Sequence, residues 1–325
     1  MRASSGIRTT AWALVAIGAA APLLRRRLRL SPPLVLGAAA LAPAALAVAA
    51  PRSRRRDVAL CALQMWAYIA AYELPHDDPE RQRRRVLVGY PIAIDRVLGL
   101  GELPTVRLQR RFSRPGEVNA LERVLSGCHW VWFAVPHASL AYVLARAPER
   151  FPGAAARMYT VFDLGASFYW AIPTAPPWWA AAHGRLGDGR ELAVRRTMIE
   201  YGPQFWGRLW RPLFGMLGGN PLAAMPSLHF ATSVMAARLL WEVDPLAGSV
   251  GSLYAGALGL ALVYLGEHYL IDLLAGAALS EGVQALSPRL GPLYRAVGSA
   301  LAALQRRGSR APMLTEVSHG IQRRR

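Results

Sequence analysis

The chain predicts an all-α fold, a polytopic membrane helical bundle with a six-helix core and about two further spans at its N-terminus. Three observations predict it. Hydrophobic residues make up 53% of the 325 residues and charged residues only 18%, a balance that favours a polytopic membrane protein over a soluble one. The apolar residues fall into about eight runs, several of them long enough to cross a bilayer as a helix. The net charge of +18 comes wholly from arginine, since the chain contains no lysine. Those arginines flank the apolar runs and do not form one basic domain. They point to anionic lipid head groups and away from a nucleic-acid partner.

The elements follow in chain order. Residues 9–24 are apolar but short, and Arg25-Arg26-Arg27 follow them. No small-residue cleavage site precedes the arginines, so the run reads as a marginal first span and not as a signal peptide. Residues 30–50 are Ala-rich and long enough to cross. After the arginines of 52–56, residues 58–74 form a third run enriched in Trp66, Tyr68 and Tyr72. Cys61 and Cys128 both sit in apolar stretches, which suggests neither a disulfide frame nor a zinc site. Residues 75–123 are polar and Arg-rich with apolar islands such as 86–97. Short amphipathic helices at the membrane surface are expected there, with a solvated loop as the alternative for 107–117. Asp77-Asp78 stand beside prolines and read as a turn before they read as a metal pair.

Residues 124–145 return to membrane character. His129 and His137 lie eight apart, near one helix face, each expected as a buried, hydrogen-bonded histidine. Residues 158–182 make the next span, which Pro173, Pro176 and Pro177 must end or kink. Trp178 and Trp179 then fall where an interface belt belongs. Residues 183–219 form a polar connection carrying Arg185, Arg190, Arg195, Arg196, Arg208 and Arg211. Runs 230–241 and 246–265 make a hairpin, and 268–286 is the last span, where Gly266 and Gly276 allow close helix approach. Residues 294–307 are weakly amphipathic and lead into a basic tail. The expected division is N-terminal spans over 1–56, a membrane domain carrying the chemistry over 57–290, and the tail over 291–325.

The hairpin carries that chemistry. Pro226-Ser227-Leu228-His229 opens its first run, and Glu267-His268-Tyr269-Leu270-Ile271-Asp272 opens the last span. The chain crosses and returns between them, so both clusters fall at one end. His268 and Asp272, four residues apart, share a helix face. A neutral imidazole can attack phosphorus, and a carboxylate one turn away can hold the ring in the attacking tautomer. His229 can protonate the departing oxygen. The helix-start amides with the Ser227 hydroxyl can hold phosphate oxygens, and a guanidinium from Arg195, Arg196, Arg208 or Arg211 can clamp them bidentately. Each part also has a plainer reading. A lone histidine is usually structural, Pro-Ser is usually a helix cap, and a single arginine is usually a solvated charge. Ionisable groups gathered at two span ends on one side favour function. The rival is a metal held by His229, His268 and Asp272. No cysteine lies near and no fourth ligand is evident, so neither metal nor other cofactor is expected.

At this point the residues resemble a family. Pro226-Ser227-Leu228-His229 and His268-x-x-x-Asp272 resemble the second and third signatures of the type-2 phosphatidic acid phosphatase superfamily. That family's strict form has Ser-Arg before the last histidine, where Ala261 and Leu262 stand here. Its first signature, Lys-x6-Arg-Pro, is met at Arg211-Pro212, but Gln204 holds the lysine position. These departures resemble the inositol phosphorylceramide synthase branch, as does Pro173-Thr174-Ala175-Pro176-Pro177-Trp178. The resemblance covers about residues 162–285. It implies a phosphatase-like six-helix core and transfer of a phosphorylated head group, such as inositol phosphate, from a lipid to an alcohol through a phosphohistidine. A lipid phosphate phosphatase and a non-catalytic transporter or scaffold are the alternatives. It also implies membrane lipids as partners and an active site on the non-cytoplasmic face, here of a bacterial plasma membrane.

Overall fold

The computed structural model describes residues 2–114, 116–187, 194–217 and 219–309, and among these every regular element is a helix. In chain order they are α1 (Arg2–Leu24), α2 (Pro32–Ala49), α3 (Arg54–Glu73), α4 (Pro79–Arg85), α5 (Gly89–Leu98), α6 (Pro104–Phe112), α7 (Ala120–Val131), α8 (Val135–Arg146), α9 (Phe151–Ala171), α10 (Pro177–Ala182), α11 (Thr197–Trp206), α12 (Trp210–Leu217), α13 (Leu228–Trp241), α14 (Pro245–Tyr264) and α15 (Leu270–Ser309). Among the described residues, four helices are long and apolar enough to cross a bilayer: Gly6–Leu24, Pro32–Ala49, Pro245–Tyr264 and Leu270–Ser309. The chain is an integral membrane protein with a polytopic helical bundle. The other expected runs give shorter or more polar helices. α13 has 14 residues, and α9 carries Arg157 and Asp163.

Two compact units divide the chain, Met1–Ala67 with Leu293–Arg325, and Tyr68–Pro292. In the first, α1 packs on α2, and the Trp66 indole N–H donates to the Ala19 carbonyl at 3.1 Å. In the second, α13 is the central helix, with α14, α8 and α9 against it. Met158, Phe162, Met235, Leu239 and Leu258 fill the space between them, fully buried. The α13–α14 turn closes one end of this bundle. There Glu242 accepts from Arg157 Nη2 at 2.7 Å and Gln284 Nε2 at 2.9 Å, and Asp244 caps α14 through the Leu246 N–H.

Several expectations change. Residues 124–145 do not form one span, because Pro136 sits in the first turn of α8, where its ring cannot continue a preceding helix. His129 and His137 therefore part company. His137 is exposed beside the Phe133 carbonyl, whereas His129 is buried with no hydrogen-bond partner for Nδ1 among the described residues. Trp178 and Trp179 are not an interface belt. Trp179 is buried against the His183 ring at 3.7 Å, and Trp178 lies half-buried under Arg196. The connection 183–219 holds two helices, α11 and α12, and Phe205 of α11 and Leu209 between the two are exposed. The last span and the amphipathic segment after it are one 40-residue helix, α15, which runs through Pro288 and Pro292. Asp78 caps α4 through the Arg81 N–H, as a turn residue should. Arg190 and the basic tail beyond residue 309 lie outside the described residues.

Candidate active site

Backbone pairing brings the two clusters together. The Pro-rich segment after α9 cannot be helical, and it lies extended between two other segments. Leu87 N–H donates to Pro173 O at 2.8 Å, and Thr174 N–H to Leu222 O at 2.9 Å. At its end, Trp178 N–H donates to Gly266 O at 3.1 Å. Gly266 has φ +73°, a left-handed turn that glycine adopts without Cβ strain, and this turn separates α14 from α15. The starts of α13 and α15 then meet directly. Ser227 N–H donates to Asp272 O at 2.9 Å. One turn on, a Cβ at Gly276 would stand 2.5 Å from the Ser227 carbonyl oxygen, so only glycine permits this approach. Tyr169 O–H donates to Pro226 O at 3.0 Å and fixes the segment ahead of α13.

The three candidate side chains contact one another in series. Asp272 Oδ2 lies 3.4 Å from His268 Nδ1, and His268 Nε2 lies 3.2 Å from His229 Nδ1. Asp272 is fully buried, His268 is 3% exposed and His229 is half-buried. The carboxylate accepts only, so it holds the His268 proton on Nδ1 and leaves the lone pair on Nε2. The three side chains run in series and do not converge on a point as metal ligands would. Among the described residues no three His, Cys, Asp or Glu side chains are grouped to hold a metal ion. The rings leave no gap for a phosphate between them. At 3.2 Å they hydrogen-bond each other.

His229 is boxed in by two residues that the sequence did not single out for the site. The Trp132 ring centroid lies 4.2 Å from that of His229, and the Trp132 N–H is tied to Thr232 Oγ1 at 2.9 Å. The His129 ring lies 4.8 Å away. His129 lies in the last turn of α7 and Trp132 caps it, so both stand at the helix end that the break before α8 creates. Nothing in the local pattern marks that break except Pro136.

Ser227 is fully buried, and its Oγ accepts the Phe230 N–H at 3.3 Å as the cap of α13. The arginines separate into three cases. Arg195 is committed to Glu200 at 2.9 Å and to the buried Glu122 at 3.1 Å. The Glu200 hydrogen bond, with Glu122 behind it, raises the Arg195 guanidinium above its ordinary range against the opposing effect of burial. Arg196 stands 3.7 Å above the Trp178 ring and pairs at 3.2 Å with Glu267, the neighbour of His268. Arg208 and Arg211 are exposed. Of the four, Arg196 is thus the one tied to a residue adjoining the histidine pair.

A family model described as the PAP2 superfamily matches residues 116–286, a little over half of the chain. The chain belongs to the PAP2 superfamily. It is 30% identical over 170 residues to the inositol phosphorylceramide synthase of Candida albicans (strain SC5314 / ATCC MYA-2876). That match covers 48% of this chain and 35% of the relative, so the chain spans about a third of that protein's length. No solved structure matches. Within the superfamily, the phosphatase arginine position is here Leu262, fully buried with Ala261 at the end of α14. A side chain at that position is buried, and here it is aliphatic and carries no charge.

Proposed function

We propose that this PAP2 enzyme is a phosphotransferase that moves a phosphorylated head group, with inositol phosphate as the first candidate, from a phospholipid to an alcohol acceptor. In the first step His268 Nε2 attacks phosphorus and forms an N–P bond. The P–O bond to the departing lipid alcohol breaks, and His229 gives that oxygen its proton. In the second step the acceptor hydroxyl attacks phosphorus and passes its proton to His229. The N–P bond then breaks and returns its electron pair to Nε2. Asp272 stabilises the imidazolium of each transition state. Ser227 at the start of α13 and Arg196 are the proposed phosphate contacts, with Arg195, Arg208 and Arg211 behind them.

The serial contact of Asp272, His268 and His229 carries this reading. Burial supports transfer over hydrolysis, because the attacked site is 3% exposed at His268 and an alcohol carried by a lipid reaches such a place more readily than bulk water. The aliphatic residue at the phosphatase arginine position supports it as well. The reading puts the site on the non-cytoplasmic face of a bacterial plasma membrane, as the family resemblance implies. The test uses purified protein, phosphatidylinositol labelled in the head group, and an added lipid alcohol. Label in a new lipid supports transfer. Label released only as water-soluble phosphate establishes the phosphatase.

A further inference from the structure

The family match begins at residue 116, yet the segment before it reaches the site through four buried polar side chains. Gln82 Nε2 donates to Asn220 Oδ1 at 2.6 Å, in the loop that leads to Pro226. Thr105 Oγ1 donates to the Val263 carbonyl at 2.9 Å, and Gln109 Nε2 to the Tyr264 carbonyl at 2.7 Å, which satisfies the last turn of α14. Gln109 also accepts the Arg195 N–H at 2.8 Å. Asp95 of α5 is fully buried, and it accepts the Leu270 N–H at 2.8 Å and the Ile271 N–H at 2.9 Å. A buried polar group costs free energy unless it is paired, and these pairs end on the last turn of α14, on the start of α15 and on the loop residues Arg195 and Asn220.

Asp95 bears on the reaction most directly. Leu270 and Ile271 open α15, and Asp272 is its third residue. Their N–H groups have no partner inside the helix. The Asp272 carboxylate takes only the Tyr269 N–H, at 2.9 Å. Two carboxylates thus share three successive amides, and because Asp95 takes two of them, Asp272 Oδ2 remains turned toward His268. That contact, at 3.4 Å, is already long for a hydrogen bond, so a small rotation of the first turn of α15 breaks it. A carboxylate fixed at a helix N-terminus also complements the helix dipole. We propose that Asp95 is a positioning residue for the reaction, holding the start of α15 so that Asp272 keeps the attacking tautomer of His268. The inference rests on the phosphotransfer reading above and adds to it a residue from outside the matched family region.

The test is steady-state turnover of head-group-labelled phosphatidylinositol by the full-length protein and its variants, each checked for its thermal unfolding midpoint. Asp95→Asn keeps one acceptor and turns an NH2 group toward the other N–H. Its kcat should fall about 10-fold, and that of Asp95→Ala about 100-fold, with KM within about threefold of the wild type. Glu102→Gln, on the nearby surface, should leave both unchanged. If Asp95→Ala does not fold, Asp95→Asn decides. A kcat within about twofold of wild type in Asp95→Asn overturns the proposal, and so does a rise in KM that accounts for the whole loss. His268→Ala in the same assay separates the two ideas. Full turnover there sinks the histidine mechanism, whereas full turnover in Asp95→Asn alone sinks only the positioning role.

Discussion

Reactivity at His268 depends on which ring nitrogen carries the proton. With Nδ1–H turned to Asp272, Nε2 is free to attack, and Asp272→Asn removes the charge that selects this tautomer. The expected loss in kcat is about 10,000-fold, the size seen when a triad aspartate is replaced, and His268→Ala should abolish turnover. His229→Ala should fail with a natural lipid donor, whose alkoxide needs a proton, yet form phosphoryl-enzyme with an aryl phosphodiester that leaves unaided. Equal losses of the aryl reaction in His229→Ala and His268→Ala, with folding intact, would show that the roles are wrongly divided. The arginines should divide by partner. Arg195→Ala removes the cation beside the fully buried Glu122, which keeps hydrogen bonds from Ser113, Asn119 and Tyr264, at a cost of about 1.5–3 kcal/mol in stability. Arg196→Ala should raise KM for the lipid with a smaller change in stability. Thermal unfolding and Michaelis kinetics on the two variants test this contrast.

Among the elements, the contact of α15 with α13 leaves no room for an added side chain. A side chain at Gly276 would meet the Ser227 carbonyl at 2.5 Å, so Gly276→Val should force the two helix starts apart. Overpacking of this kind costs about 1–3 kcal/mol, and kcat should fall more steeply than the melting temperature, since the His229–His268 contact sits at the same place. The hairpin and its paired clusters were legible in the sequence because two long apolar runs and a short turn leave little choice of topology. What was not legible came from segments whose hydrogen bonds are non-local. Trp178 and Trp179 looked like interface residues because apolarity alone does not reveal that Pro173–Trp178 pairs with backbone on both sides. His129 was expected with a hydrogen-bond partner and has none for Nδ1 among the described residues. Asp95 looked like an interruption in an apolar island, and its partners are 175 and 176 residues away. The four candidate arginines were equivalent in sequence and are distinguished only by what the fold places beside them, Glu122 and Glu200 at Arg195, Glu267 and Trp178 at Arg196, and solvent at Arg208 and Arg211.

On the scale of the whole molecule, the second unit has a reactive end and a structural end. α13, with 14 residues, separates them by about 20 Å. At the far end the Arg157–Glu242 pair is partly buried, with Arg157 12% and Glu242 32% exposed. Arg157→Met should lower the unfolding midpoint by several degrees and leave kcat and KM near wild type, since nothing at that end touches the histidines. The central claim is that phosphorus becomes bonded to His268. It is tested most directly by mixing the protein with phosphatidylinositol labelled at phosphorus, quenching in base before the acceptor is added, and locating the label by peptide mapping. The account predicts an acid-labile, base-stable adduct on the peptide bearing His268, absent in His268→Ala and discharged by a lipid alcohol. Label on another residue, or turnover that proceeds with no such adduct and survives in His268→Ala, would contradict it.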